Sequence, residues 1–135
     1  MERFTAAILH KAYGNILTPH AELRVPFGWH SIVKKMLQRL HDLPTATRAM
    51  MMVTGISINR DGLLDVEIIS NPGLMPDGGL ESVEGIVSDA RNECAWTCVK
   101  DHRPAWIVHT GGGFPRPLCP ECQQSAGVYV ECARA

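Results

Sequence analysis

The stretch of sequence that decides the fold is "CVKDHRPAWIVHTGGGFPRPLCPEC", which covers residues 98–122. It ends in Cys119-Pro120-Glu121-Cys122, a C-x-x-C knuckle whose two-residue spacing lets both thiolates point at one metal ion. A structural zinc site needs four ligands, and sulfur and nitrogen are preferred. A second pair of ligands is therefore expected upstream, and the stretch predicts a hairpin held together by a metal ion.

Two upstream pairs could complete the site, and both include Cys98. Cys94 and Cys98 are four residues apart at the end of a predicted helix, so both could reach an ion below its last turn. Cys98 and His102 instead form a C-x3-H unit just after that helix. Asp101 could substitute, although a carboxylate is a harder ligand. The predicted cofactor is a structural Zn²⁺, and its predicted ligands are Cys98, Cys119 and Cys122 with Cys94 or His102.

The cysteines also leave interpretations without a metal open. Cys94 lies on an apolar helix face, where a buried cysteine needs no ion. A C-P-x-C sequence also occurs in redox pairs, but nothing nearby has the strand–helix context of a thioredoxin motif. Five cysteines is an odd count, and the tight C-x-x-C favours metal over disulfides in an intracellular protein. Cys132, alone on a predicted strand, is expected to be structural.

Composition places the chain among ordinary globular domains. Its 135 residues suit one domain, and 45 % hydrophobic residues suffice for a normal core. The net charge of −1 gives no basic footprint for a general nucleic-acid binder. No apolar run is long enough to span a membrane, and "MERFTAAILHKAYG" lacks the features of a signal peptide. We expect a cytoplasmic protein without a membrane partner.

Three amphipathic helices are predicted from apolar spacing. The clearest is "WHSIVKKMLQRLHDLP", in which Trp29 begins an apolar stripe and Pro44 ends the helix. "ERFTAAILHKAYG" is predicted to be helical with Phe4, Ala7, Ile8 and Ala12 on its apolar face, and "LESVEGIVSDARNECAWTC" is the third helix. The apolar residues of the clearest helix are Trp29, Ile32, Val33, Met36, Leu37 and Leu40. Those of the third helix are Val83, Ile86, Val87, Ala90 and Cys94.

Strand signals lie between and after these helices. "RAMMMVTGISINRDGLLDVEII" predicts two strands joined by a turn at residues 59–62. "NILTPHAELRVPFG" has two prolines and no clear period, so it is predicted to be a loop or extended connector. "AWIVHT" and "AGVYVECARA" could add short strands, with the glycines between "AWIVHT" and "FPRPLCPEC" as a hairpin tip. The predicted fold class is α+β. Residues 1–135 form a single small domain, in which amphipathic helices pack on a short antiparallel sheet and residues 94–124 form a C-terminal zinc-ribbon-like subdomain.

A combination of motifs resembles a group of small, uncharacterised proteins encoded by phages and prophages of proteobacteria. The motifs are, in order, "FGWHSIVKKMLQRL", "DGLLDVEI", "SDARNECAWTC" and "GFPRPLCPEC", and they cover about residues 27–124. The family usually has C-x-x-C-G at its first knuckle, whereas here Cys98 matches the first cysteine and Asp101 stands where the second would be. The family's basic, aromatic strand is acidic here. The resemblance implies a zinc site and a phage accessory role, without a transferable activity.

An enzymatic alternative is a degenerate HNH-like nuclease. "KDHRP", "GGG" and "LCPEC" are similar to the Asp-His, Gly-Gly and Leu-Cys-x-x-Cys landmarks of those enzymes, in which a histidine activates water beside a catalytic metal. The intermediate asparagine and the downstream metal-binding histidine of that pattern are missing. His109, at the end of a strand pattern, could be a ligand or a base but fits a surface or strand histidine better.

The function predicted from the sequence is that of a non-catalytic binding module stabilised by zinc, with no catalytic residues. The expected partner is a protein of the host cell, including a component of a defence complex if the chain is phage-encoded. A nucleic-acid-binding zinc protein is the alternative, although the chain has no overall basic charge.

Overall fold

A computed structural model describes residues 3–109 and 113–125, and it confirms the predicted α+β class in a single small domain. The predicted strand at residues 126–135, Cys132 and most of the glycine tip lie outside the described residues. No helix in the described part of the chain is long and apolar enough to cross a membrane. The helices are α1 (Arg3–Ala12), α2 (His30–His41), α3 (Thr45–Arg48), α4 (Gly79–Ala95) and α5 (Pro120–Ser125). The strands are β1 (Leu17–Arg24), β2 (Met51–Ile58), β3 (Leu64–Ser70), β4 (Trp106–Val108) and β5 (Arg116–Leu118).

Helices α2 and α4 form the helical layer of the core, and their apolar stripes are the predicted ones. A 3-10 turn at Phe27–Trp29 leads into α2, and the side chain of Trp29 is completely buried. Every other predicted apolar residue of α2 is also buried, because all of them repeat at helical spacing on one face. On α4, Val87 is half-buried and the other four predicted residues are buried. The two helices pack against each other, and α4 also packs against β3.

The main sheet has three strands in the order β1-β2-β3. Strands β2 and β3 form the predicted antiparallel hairpin, in which Met51 pairs with Ser70 and Ile58 pairs with Leu64. The side-chain oxygen of Asn59 accepts hydrogen bonds from the backbone N–H groups of Asp61 and Leu63, which closes the turn. The short sheet was predicted to be antiparallel, but it is mixed because β1 runs parallel to β2.

Residues 15–28 were predicted to be a loop or extended connector, and the structure places strand β1 within them, at Leu17–Arg24. Ala21 and Leu23 are buried while Glu22 and Arg24 are exposed, which is the alternation of a strand with one face on the core. Pro19 hid this period. The proline is tolerated because β1 is an edge strand, and the pairing register with β2 shifts in the same segment.

Helix α1 was predicted correctly, but its buried face was not. Ile8 is half-exposed and Ala7 and Ala12 are exposed, whereas Leu9 and Tyr13 are buried. The side chain of Phe4 is outside what the structure describes. The Tyr13 hydroxyl donates a hydrogen bond to Gln38 on α2, at 2.9 Å, so this aromatic side chain orients the helix. A mean apolar spacing could not distinguish the two faces, because small apolar residues lie all around α1.

Candidate metal centre

Four potential ligands converge at one place on the C-terminal side of α4. The Sγ atoms of Cys98, Cys119 and Cys122 and a carboxylate oxygen of Asp101 all lie within 4.8 Å of one another. Cys98 and Cys119 are buried, and Cys122 and Asp101 are half-buried. Two knuckles therefore face each other, one with the pattern C-x-x-D at residues 98–101 and one with the pattern C-x-x-C at residues 119–122. Together these residues could hold a metal ion.

The first knuckle is a tight reversal of the chain just after α4. Thr97 and Pro104 form an isolated antiparallel bridge, and the Cys98 N–H donates to the Arg103 carbonyl at 2.8 Å. Inside this loop, one carboxylate oxygen of Asp101, Oδ1, accepts the Arg103 N–H at 3.1 Å. The other oxygen, Oδ2, is thereby left to face the cysteines.

The second knuckle joins β5 to α5. Strands β4 and β5 pair antiparallel, with Trp106 opposite Leu118 and Val108 opposite Arg116. They form the hairpin predicted between the knuckles. The buried amide of Gln123 donates to the Leu118 carbonyl at 2.8 Å, and this bond supports the backbone beside Cys119. The Val99 N–H donates to the Pro117 carbonyl at 3.1 Å, so a backbone hydrogen bond connects the first knuckle to the strand that leads into the second.

Contacts within the group shift the pKa values of Asp101, Cys119 and Cys122. Hydrogen bonds to Asp101 Oδ2 run from the Cys119 thiol at 3.1 Å and from the Cys122 thiol at 3.3 Å. The Cys119 hydrogen bond, with further ones from the Arg103 backbone and the other thiols, holds the pKa of Asp101 well below its usual range. Burial raises the pKa of Cys119, and it raises the pKa of Cys122 to about 12. Without an ion the centre is thus one carboxylate bridged by neutral thiols, whose protons a metal would displace.

Two glycines allow the segments around the centre to pack closely against the rest of the fold. A methyl group at Gly28 would lie 1.9 Å from the Cys98 carbonyl oxygen, and the Gly28 N–H donates to the Val99 carbonyl at 2.7 Å. Gly62, in the turn between β2 and β3, has φ of +80° and would place a methyl group 2.5 Å from the Pro115 carbonyl oxygen. Each knuckle segment therefore touches bare backbone of the main fold.

The three cysteines that belong to both predicted ligand sets, Cys98, Cys119 and Cys122, come together in the structure. The fourth member of the group is Asp101. Cys94 and His102 are not part of it. The Cys94 thiol is completely buried on the core face of α4, and burial raises its pKa to about 12. The His102 backbone has φ of +67°, and its ring donates from Nδ1 to the Gly28 carbonyl at 2.9 Å. The signal that favours Asp101 is its spacing, because it follows Cys98 as Cys122 follows Cys119.

The histidines of the nuclease-like pattern do not form a second centre. Among the described residues, neither His102 nor His109 belongs to any group of three or more side chains close enough to share a metal ion. His109 is exposed just after β4. The two residues of the Asp-His motif therefore have different contacts. Asp101 faces the cysteines, and His102 hydrogen-bonds the backbone carbonyl of Gly28.

No family model, curated protein or solved structure matches this chain. The donor atoms of the centre indicate which metal ions it suits. Three thiol sulfurs and one carboxylate oxygen form a soft set that disfavours Mg²⁺, Ca²⁺ and Mn²⁺, which prefer all-oxygen ligands. In a tetrahedral zinc site two sulfurs lie about 3.8 Å apart, and a sulfur and an oxygen about 3.6 Å. The sulfur–oxygen distances here, 3.1 and 3.3 Å, need only small adjustments to reach that geometry.

Proposed function

We propose that the centre holds one structural Zn²⁺ and that the protein is a non-catalytic binding module. The observation that supports this most directly is the convergence of four ligand atoms within 4.8 Å. Four protein ligands fill a tetrahedron and leave no open position for substrate or water, which is the pattern of structural rather than catalytic zinc sites. Three thiolates and a carboxylate around Zn²⁺ carry a net charge of −2. The Arg103 guanidinium, with Nε 4.0 Å from Asp101 Oδ2, partly offsets that charge.

The need for an ion follows from the small size of the elements around the centre. Strands β4 and β5 have three residues each, and α5 has six. Segments this short bury too little apolar surface to compensate for the loss of chain entropy. The binding free energy of a structural metal is added to the folding free energy, so Zn²⁺ would stabilise this part of the fold.

We propose a protein of a host cell as the partner, in line with the resemblance to phage and prophage proteins. A component of a defence complex is one such partner. The support from the molecule is a set of exposed aromatic side chains near the centre, since aromatic residues are enriched at protein interfaces. Phe27, Trp96 and Phe114 are each more than half exposed.

Metal analysis of the purified protein tests the zinc assignment. We expect about one zinc per chain for the wild type and for Cys94→Ser, and none for Cys119→Ser, because the sulfur of Cys119 belongs to the centre and that of Cys94 does not. The Cys119→Ser variant should also lose the near-ultraviolet signal of the ordered C-terminal part. Wild-type protein that is free of metal after growth and purification with added zinc would contradict the proposal.

A further inference from the structure

A groove of about 430 Å³ lies beside the metal centre. Its walls are mainly apolar, and the exposed fraction of Phe27 at its edge is 60 %. Both knuckle regions contribute to it, with Val99 and Lys100 from the first and Arg116 from the strand that leads to the second. The lining residues are Pro26, Phe27, Ile58, Val99, Lys100 and Arg116.

The two cations of the groove have no acidic partner within the described residues. Lys100 and Arg116 make no ion pair there, and the buried Nε of Arg116 has no hydrogen-bond acceptor. Four other basic side chains among the described residues are paired with carboxylates. Arg24 pairs with Glu22, Lys35 with Glu93, Arg39 with Asp89, and Arg103 with Glu121.

A buried guanidinium nitrogen without an acceptor is costly, because desolvation is not repaid by a hydrogen bond. A carboxylate entering the groove would pair with the Arg116 guanidinium group, which has no acidic partner among the described residues, and Lys100 would add a second attraction of the same sign. The apolar wall next to them favours an aliphatic side chain, with the ring of Phe27 as an exposed contact. The groove is therefore complementary to a ligand that carries an apolar and an anionic group side by side.

We propose that this groove binds an acidic, aliphatic peptide segment of the partner protein. The proposal rests on the binding role proposed above and specifies the chemistry of the segment that is recognised. Nucleic acid fits less well, because nucleic-acid binding depends on many phosphate contacts, whereas this groove offers two cations on a chain of net charge −1. A peptide needs only one or two carboxylates and an apolar anchor.

The metal centre and the groove share backbone. Val99 and Lys100 lie between the ligands Cys98 and Asp101, and Phe27 precedes Gly28, whose N–H bonds the Val99 carbonyl. An ion that orders the first knuckle also orders one wall of the groove. Peptide binding should consequently require the metal-loaded protein.

A titration followed by backbone amide NMR shifts tests the proposal with the full-length, zinc-loaded protein. The probe is an N-acetylated, C-amidated peptide of alternating Leu and Glu, and its neutral counterpart has Gln in place of Glu. We expect the acidic peptide to shift the amides of Phe27, Val99 and Lys100, and the neutral peptide to bind at least about tenfold more weakly, because hydrogen bonds to charged groups are the stronger ones.

Substitutions in the groove give the second readout. Arg116→Gln and Lys100→Gln should each weaken the acidic peptide several-fold or more while zinc content stays at that of the wild type. The matched control is Lys34→Gln, which removes an exposed lysine from the outer face of α2 and should change nothing. Because zinc content is measured on the same samples, failure of the groove is distinguishable from failure of the zinc assignment.

Three results would overturn the assignment. Equal binding of the acidic and neutral peptides would remove the role of the cations. Binding of a single-stranded oligothymidylate at the same amides, in place of the peptide, would assign the groove to nucleic acid. Self-association that is lost in Arg116→Gln would assign it to a second copy of the chain.

Discussion

Asp101 is the one oxygen donor among the four residues of the candidate metal centre. One of its carboxylate oxygens is fixed by the Arg103 N–H, and the other meets two thiols, so the side chain is oriented before any ion arrives. Its side chain is 30 % exposed, more than would be expected for a ligand in a fully closed site. A preoriented carboxylate of this kind would complete the proposed site while staying partly accessible to water.

Replacing Asp101 should therefore weaken metal binding more than replacing Cys94 or His102, the two residues predicted from the sequence as the fourth ligand. We expect Asp101→Ala to reduce zinc affinity by more than the roughly 10–100-fold typical of losing a residue that only hydrogen-bonds a metal ligand. Competition with a chromophoric chelator measures the change. Asp101→Cys should restore tight binding by supplying a fourth thiolate.

His102→Ala and Cys94→Ser serve as the comparison pair for this prediction. Each should keep zinc affinity within a few-fold of the wild type, because His102 bonds the Gly28 carbonyl and the Cys94 thiol is buried in the core. A loss of affinity in His102→Ala as large as that in Asp101→Ala would show that the histidine is the ligand in solution.

Burial of the Cys94 thiol is expected to lower the free energy of unfolding at alkaline pH. Burial raises its pKa from 9.0 to about 12, so the folded state keeps the thiol protonated at pH values where the unfolded chain releases the proton. A pKa raised by folding contributes stability below about pH 9, and that contribution is lost as the pH rises toward about 12. The free energy of unfolding, measured by urea between about pH 8 and 11, should fall more steeply for the wild type than for Cys94→Ala.

The comparison of slopes separates this effect from packing. Cys94→Ala also leaves a small cavity, which lowers stability at every pH by a similar amount. Only the ionising thiol changes the slope, and other titrating groups are common to both proteins. Identical slopes would mean that Cys94 does not contribute to the pH dependence.

At the level of individual residues, most of the candidate site could be predicted from the sequence, but not its fourth member. The three cysteines were identifiable because C-x-x-C spacing reflects the reach of two side chains toward one ion. The fourth member depended on how the chain turns after α4, through the bridge between Thr97 and Pro104. That reversal brings residue 101 to the cysteines and directs residue 102 to another backbone, and side-chain type alone could not indicate it.

At the level of secondary-structure elements, the turn before α2 has no space for a larger side chain at Gly28. A methyl group at Gly28 would meet three backbone atoms of Cys98 and Val99, at 1.9–2.9 Å, and backbone cannot move aside as a flexible side chain does. We expect Gly28→Ala to cost at least the upper end of the roughly 1–3 kcal/mol typical of overpacking, as measured by urea unfolding. The same variant should bind zinc more weakly, since its clash is with the first knuckle.

Gly85→Ala is the matched glycine control for this element. Gly85 lies in the middle of α4, and nothing lies within 4 Å of its added methyl group. Removing glycine from an exposed helix position should stabilise the protein by about 0.5–1 kcal/mol. If Gly28→Ala proved as stable as the wild type, the close seating of the knuckle on this turn would be wrong.

Elements with a strong period were predicted well, and those with a mixed period were not. The stripes of α2 and α4 contain large apolar residues at regular spacing, so their buried faces could be assigned from the sequence. Strand β1 alternates only after Pro19, and its pairing to β2 is parallel, which requires the α2 crossover. Such long-range pairing leaves little local signal, and the proline masks what there is.

For the whole molecule, the metal centre and the main core are expected to unfold together. The Gly28 N–H bonds the Val99 carbonyl, and the Trp29 indole donates to the Thr97 carbonyl at 3.0 Å, so α2 is tied to the first knuckle at two points. Removing zinc should lower the melting temperature of the entire domain rather than of the hairpin alone. At free zinc about 1,000 times its dissociation constant, the linkage is worth about 4 kcal/mol.

Circular dichroism at the helical wavelength checks this coupling, because α2 and α4 dominate that signal and contain no ligand of the proposed site. A single transition, shifted to lower temperature by a chelator and restored by added zinc, is the expected result. A helical signal that melts at one temperature with and without the chelator would mean that the two parts of the protein are energetically independent.

The order of these parts along the chain also has a consequence for biosynthesis. The four ligands lie between residues 98 and 122, whereas the glycines on which their segments rest are at positions 28 and 62. A ribosome therefore releases the docking surface well before the segments that cover it, and domains generally fold in that direction during synthesis. Until residue 122 has left the exit tunnel, the backbone at both positions stays uncovered in the nascent chain, so binding of the proposed metal ion would follow the synthesis of most of the fold.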